Sequence, residues 1–353
     1  MRRVLIFCAL AAACLLPAWG AELDVPGLDQ VWETAEGQGV SRDVSLDQGL
    51  AQLAGQALDQ LRPLLRASLT TAMKLAAVVL LCALAESVQA GEGEGLPAVT
   101  MAGALAITAL TMTDMAAMIG LGRDTLGRME EFSSLLLPVM AVLTAATGSV
   151  SAAAARQGAT VLFSQLLITA MDRLLVPLVY AFVAVHCAHA AVGNPGLKKL
   201  ADLLKGAITF FLTALLLAFV GYLTASGAIA GSVDAAAIKA AKLAISRAIP
   251  VVGSILADAS ESVLAGAGVL RGTVGLAGLL VVLALCLTPF LRLALQYLVY
   301  KLAAALCAVV AQPKLSGLID AIGTAFGLVL GMTGAGALML LVSLVSAVAA
   351  VTI

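Results

Sequence analysis

Long apolar segments dominate this chain and constrain its fold more than any other feature. The sequence is 61% hydrophobic and only 12% charged, whereas a soluble domain carries about 25% charged residues. About 20 apolar residues cross a bilayer as a helix, and lipid offers the backbone no hydrogen-bond partners of its own. The sequence therefore predicts an all-α polytopic transmembrane bundle with about six to eight crossings.

Most of the candidate crossings are separated by short polar or glycine-containing stretches. Two runs are ambiguous. Residues 160–192 are too long for one simple crossing and are interrupted by Asp172-Arg173 and by Pro177, and residues 299–311 are equally hard to assign. The clearer candidate segments are 69–90, 97–119, 134–155, 207–227, 272–297 and 322–349.

The first twenty residues have the pattern of a secretory signal peptide. Arg2 and Arg3 precede an apolar run from Leu5 to Leu16, and Ala18-Trp19-Gly20 supplies small residues before a cleavage site. This order of a basic, an apolar and a small-residue region predicts that residues 1–20 are removed. Cleavage would place the new N-terminus outside the cytoplasm.

Residues 21–66 form the only sizeable polar stretch, and residues 67–353 are interpreted as the polytopic membrane domain. The polar stretch carries eight acidic side chains against three arginines, and leucines at partial helical spacing follow from about Asp47. We interpret it as a short acidic extracytoplasmic arm that ends in an amphipathic helix. The arm is either a solvated linker or a docking surface.

The prolines after residue 100 indicate an internal two-fold repeat. They fall into three pairs with partly matching neighbours. The members of a pair are separated by 112 or 118 residues, and one small insertion in the second copy would explain the difference. The predicted halves are about 130–230 and 242–345; the alternative is chance alignment in a chain of low compositional complexity. The pairs are Pro138 with Pro250 and Pro177 with Pro289, each 112 residues apart, and Pro195 with Pro313, 118 apart.

Two basic clusters bear on the orientation of these halves. Lys198, Lys199 and Lys205 form one, and residues 239–247 carry the other. Positive residues prefer the cytoplasmic side, yet only one clear crossing separates the clusters. Inverted halves would explain this conflict, whereas an even number of crossings per half would keep the halves parallel.

Ionisable residues that interrupt apolar segments are the candidate functional residues. Each costs about 2.5–3.5 kcal/mol when it is unpaired at the bilayer centre, so each should face a cavity, a partner or the interface. They either form a polar pathway or pair structurally between helices; for Arg156, Arg292 and Lys301 we favour pairing. Together with a proline and a glycine, the candidates are Asp114, Asp172, Arg173, Asp202, Pro250, Gly253, Asp258, Glu261 and Asp320.

Residues 232–268 have the pattern of an interrupted helix. An amphipathic stretch ends at Pro250 and Gly253, and Asp258 and Glu261 follow on a second helical piece. Such a broken helix with two acids is either a re-entrant element that lines a cavity or an interfacial hairpin.

The sequence carries no recognisable catalytic motif. A nucleotide-binding loop and the patterns GxSxG, HExxH and CxxC are all missing. His186 and His189 lie three residues apart, but a lone pair is weak evidence for a metal. The net charge of −1 argues against nucleic acid. We therefore expect a non-enzymatic protein without a cofactor.

The segment from Ala240 to Asp258 resembles the stage III sporulation protein AE family. The resemblance rests on its basic amphipathic lead-in and on Ile249-Pro250-Val251-Val252-Gly253. The layout of signal, short arm and glycine-rich membrane region is similar as well.

The resemblance implies a multi-pass protein of the mother-cell membrane that surrounds the forespore. The family belongs to a channel or secretion-like complex that sustains late forespore gene expression, so the implied partners are other membrane subunits, a separate ATPase subunit and the lipid bilayer. The rival hypothesis is a stand-alone secondary transporter with its substrate site at the repeat interface.

Overall fold

The computed structural model describes residues 28–38, 40, 46–89, 97–146, 162–225, 273–310 and 313–351. Within these ranges every regular element is a helix and no strand occurs, which confirms the all-α prediction. In chain order the helices are α1 (Leu28–Gly37), α2 (Leu46–Gln89), α3 (Pro97–Ala146), α4 (Leu162–Val192), α5 (Pro195–Ala225), α6 (Thr273–Cys307) and α7 (Pro313–Val351).

Six of the described helices, α2 to α7, are long and apolar enough to cross a membrane. This number is the lower end of the predicted range. The segments 97–119 and 134–155 were predicted as separate crossings, but 97–119 and the described part of the second segment, residues 134–146, lie in the single 50-residue helix α3. At a rise of 1.5 Å per residue, α3 is about 75 Å long, so it reaches well beyond a hydrocarbon core of about 30 Å.

Helix α4 resolves the ambiguous run 160–192. It is continuous from Leu162 to Val192 and contains a π-helical segment, Met171–Leu175. Pro177 lies two residues after the end of this segment, and the proline nitrogen has no hydrogen to donate to the carbonyl of Arg173. A π-helical turn at this point accommodates the missing bond without ending the helix.

Helix α7 forms the centre of the bundle. It packs against α3, α4, α5 and α6, and 89% of its apolar window is buried, compared with 17% to 50% for the other five. The outer helices expose large apolar side chains, including Met73 on α2 and Phe210 on α5. A buried central helix with apolar outer faces is the arrangement expected of a bundle whose surroundings are lipid.

Close contacts at glycines define the two ends of the bundle. A Cβ atom at Gly103 would lie 2.7 Å from the sulfur of Cys82 and 3.2 Å from Leu315, and one at Gly193 would lie 2.8 Å from the Lys314 ammonium. The last turns of α2, α4 and α6 and the first turns of α3, α5 and α7 therefore share one end of the bundle, which we call the turn end. At the opposite end a Cβ atom at Gly278 would meet Leu136 and Leu344.

The predicted repeat coincides with two helical hairpins, α4–α5 and α6–α7. Pro195 and Pro313 each begin the second helix of a hairpin, and Pro177 and Pro289 lie inside the first. Both hairpins turn at the turn end, so their corresponding helices run in the same direction. Pro250 and the basic residues 239–247 lie outside the described residues. The repeat itself stays a prediction, and this geometry favours parallel over inverted halves.

The acidic arm contains a helix that packs on the bundle. Val31, Trp32 and Ala35 of α1 are buried, and α1 contacts α3 and α6. The amphipathic stretch after Asp47 belongs to α2, which continues without a break into the first apolar segment as far as Gln89.

Candidate functional site

Five of the nine candidate residues named from the sequence fall into three places in the fold. Asp202 and Asp320 line one cleft at the turn end, Asp114 lies in a hydrogen-bonded network inside the bundle, and Asp172 and Arg173 lie in the π-helical segment of α4. The remaining candidates lie outside the described residues: Pro250, Gly253, Asp258 and Glu261.

A cleft with a volume of about 260 Å³ opens between α4, α5 and α7. We call it the basic cleft. Histidines from the last turns of α4, lysines from α5 and the first residues of α7 surround it, and Pro313 and Gly317 complete its α7 wall. Its ionisable lining residues are His186, His189, Lys198, Asp202, Lys205, Lys314 and Asp320.

An ion pair and a hydroxyl close one side of the basic cleft. The ammonium of Lys301 on α6 lies 2.7 Å from a carboxylate oxygen of Asp320 and donates to the Thr324 hydroxyl at 2.8 Å. That hydroxyl in turn donates to the Asp320 backbone carbonyl at 3.0 Å. Lys301 therefore compensates the charge of Asp320, as expected from structural pairing between helices.

Both histidines of the basic cleft are oriented by backbone carbonyls. Nδ1 of His189 lies 2.8 Å from the Asn194 oxygen, and Nδ1 of His186 lies 3.1 Å from the Phe182 oxygen. A carbonyl oxygen only accepts, so in each ring Nδ1 carries the hydrogen. Nε2 is then the nitrogen that remains for a ligand.

Two lysines of the basic cleft, Lys198 and Lys314, lie at the positive ends of helix dipoles. Lys198 is in the first turn of α5 and Lys314 is the second residue of α7, and neither first turn contains an acidic residue. Helix N-termini carry about half a positive charge and favour anions. The Lys314 ammonium approaches Gly193, which ends α4 in a left-handed conformation with φ of 79°.

Asp114 accepts hydrogen bonds inside the bundle. The Tyr300 hydroxyl donates to its carboxylate at 3.0 Å and the Gln296 amide at 3.3 Å, while the Ser68 hydroxyl donates to Gln296 at 3.0 Å. Tyr300 is fully buried, and its ring packs edge-on against Phe326. The network joins α2, α3 and α6, so it satisfies a carboxylate that lipid would otherwise penalise.

Asp172 belongs to a more exposed ion pair. Its carboxylate lies 2.6 Å from Arg123 on α3, and about half of the Arg123 side chain and 38% of the Asp172 side chain are accessible. Arg173 beside it is exposed. This arrangement is typical of structural pairing between two helices.

Sequence reasoning missed most of the partners at both sites. Lys198 and Lys205 bore only on orientation, and the histidine pair was interpreted as a buried polar contact or a headgroup contact rather than a metal site. No group of three potential metal ligands occurs among the described residues. The equivalent placement of Asp202 and Asp320 after Pro195 and Pro313 was the one signal that pointed to the basic cleft. Gln296 and Tyr300 had no comparable signal.

Comparison with known proteins identifies one family. A family model described as Stage III sporulation protein AE matches residues 42–351. Stage III sporulation protein AE of Bacillus subtilis (strain 168) is 25% identical over 192 residues, which are 53% of this chain and 47% of that protein. The chain thus aligns with about half the length of this curated relative. No solved structure matches.

Proposed function

The chain belongs to the stage III sporulation protein AE family, and we propose that it is a non-enzymatic integral membrane subunit of a sporulation channel. In this proposal it works in the mother-cell membrane around the forespore and is needed for late forespore gene expression. The carrying observation is the extent of the family match. Residues 42–351 include all six candidate spans, from Asp47 to Val345, so the membrane bundle is the part that the family shares.

The surface of the bundle supports a subunit role. Within this chain, helices α2 and α5 bury only 17% and 28% of their most apolar segments. Helix α5 exposes large apolar side chains at Leu203, Phe210 and Leu217. Such faces pack against lipid or against other membrane subunits. We propose that the partners include further membrane subunits of the channel and a separate ATPase subunit.

An in-frame deletion in the source organism tests this function. A late forespore-specific reporter is scored after engulfment, and the intact gene is returned as the control. The proposal expects arrest of the reporter, with rescue by the intact gene and loss of assembly of the other subunits. Normal spores from the deletion strain would overturn it.

A stand-alone secondary transporter is the second candidate, and one observation favours it. Asp202 and Asp320, which occupy equivalent positions in the two predicted halves, line the same cleft, and substrate sites of transporters commonly lie between repeats. Purified protein in vesicles should then carry solute flux without partners. Flux that requires the other subunits would support the channel instead.

A further inference from the structure

We propose that the basic cleft binds a phosphate group, carried either by a lipid headgroup or by a small soluble molecule. The site is new relative to the channel role and does not depend on it. The argument rests on the charge of the cleft, on its size and on its place in the bundle.

The charge balance of the cleft favours an anion. Lys198, Lys205 and Lys314 line it, and Lys301 compensates Asp320 at 2.7 Å. Asp202 is then the remaining carboxylate against three ammonium groups. Lysine is a common phosphate ligand because its ammonium group acts as a point charge with three rotatable donors.

The two helix N-termini reinforce this preference. The dipole of a helix favours acidic groups in its first turn and disfavours basic ones. Lys198 and Lys314 lie in the first turns of α5 and α7, so each is placed unfavourably with respect to its own helix. An anion bound between the N-terminal ends of α5 and α7 would reduce this electrostatic repulsion. Backbone N–H groups at a helix N-terminus also bind phosphate directly.

The histidines supply a second kind of contact. With Nδ1 of His186 and of His189 held by backbone carbonyls, each neutral ring offers Nε2 as an acceptor for a ligand hydroxyl. A protonated ring donates from Nε2 to a phosphate oxygen instead. Either form suits a phosphate that carries a hydroxylated substituent such as glycerol.

The size and location of the cleft fit such a group. Its volume of about 260 Å³ is far above the roughly 10–15 Å³ that one water requires, so a phosphate with a small substituent has room. The cleft lies at the turn end, beside the connections of the hairpins. Anionic headgroups and soluble phosphates are both present at such a membrane surface.

Lysine substitutions with a matched neighbour test the proposal. The full chain is purified in detergent, and bound phosphatidylglycerol is counted by native mass spectrometry, with phosphatidylcholine as the zwitterionic control. Inorganic phosphate is titrated by calorimetry in the second arm. The variants are Lys198→Gln and Lys205→Gln, and the control is Lys199→Gln, which removes an equal charge from the same helix outside the cleft lining.

The expected result is a loss of about tenfold in affinity for each cleft variant, because each removes a charge-assisted hydrogen bond. Lys199→Gln should stay close to the parent protein. Preference for phosphatidylglycerol assigns the site to a lipid headgroup; binding of inorganic phosphate alone assigns it to a soluble molecule. Equal losses in all three variants, or no binding of either probe to the parent protein, would overturn the proposal.

A second pair of variants fills the cleft without changing its charge. Gly317 lines the cleft, and a Cβ atom there meets nothing within 4 Å. Gly317→Leu should therefore block the ligand, whereas Gly206→Leu, at another open glycine outside the lining, should not. Unchanged binding in Gly317→Leu would contradict the proposed place of the phosphate.

Discussion

The Lys301 ammonium lies 2.7 Å from the Asp320 carboxylate and joins α6 to α7 beside the basic cleft. Asp202, the residue that corresponds to Asp320 in the first predicted half, lines the same cleft from α5. The two predicted halves therefore contribute one aspartate each, and in the second half that aspartate is fixed by a lysine.

Breaking this ion pair should have a modest cost. The Lys301 and Asp320 side chains are 28% and 52% exposed, and pairs of this exposure contribute about 0.5–1 kcal/mol. We expect Lys301→Gln to lower the free energy of unfolding by about that amount in detergent, measured by denaturant titration. The double variant with Asp320→Asn should lose less than the sum of the single losses. Strict additivity would show that the pair contributes no coupling.

Asp202→Ala and Asp320→Ala should have related effects on function if the repeat is real. Both carboxylates face the same cleft after corresponding prolines. The measurement is the late forespore reporter in strains that carry each variant at the native locus. If one variant were silent and the other abolished the reporter, the two positions would not have equivalent roles.

Tyr300→Phe should destabilise the bundle through the Asp114 network. The hydroxyl donates to Asp114 at 3.0 Å, and hydrogen bonds inside membrane bundles contribute about 0.6–2 kcal/mol. Thermal unfolding in detergent reports the loss. Tyr297→Phe, on the same helix, is the matched control. In combination with Asp114→Asn, a coupling energy near zero would exclude a direct contribution from this bond.

Gly323→Val should separate α6 from α7. A Cβ atom there would lie 3.1 Å from the Cβ of Tyr300 and 3.4 Å from the backbone nitrogen of Lys301, and neither atom is at the end of a flexible side chain. Overpacking of this kind costs about 1–3 kcal/mol.

Gly317→Val on the same helix controls for helix propensity, since its Cβ atom meets nothing within 4 Å. Unfolding in detergent should therefore require less denaturant for the Gly323 variant than for the Gly317 variant. Equal midpoints would show that the helices can move apart without cost.

The all-α fold class and the minimum number of membrane crossings could be predicted from the length of the apolar segments alone. The continuation of α3 between the two predicted segments has a physical cause: hydropathy falls across residues 123–131, which contain Arg123, Arg128, Glu130 and Glu131. Arginine and glutamate are good helix formers, so the backbone continues where the hydropathy pattern is interrupted. A break in hydropathy therefore does not establish a break in the helix.

The site was predictable only in part, because its residues converge through packing. Asp202 and Asp320 could be aligned by their offset, but Lys314 and His186 come together only when α4 packs against α7. Asp114 stood out as a charge among threonines. Its partners Gln296 and Tyr300 lie 182 and 186 residues further along the chain, and no local pattern connects them.

The central position of α7 has a consequence for the order of assembly. It is the last of the described helices, so a ribosome releases α3 to α6 before the helix against which they pack. Chains are made from the N-terminus, and membrane helices insert before they associate. Until α7 is inserted, these earlier helices lack their central partner, so their inward faces remain open to insertion chaperones or to neighbouring chains.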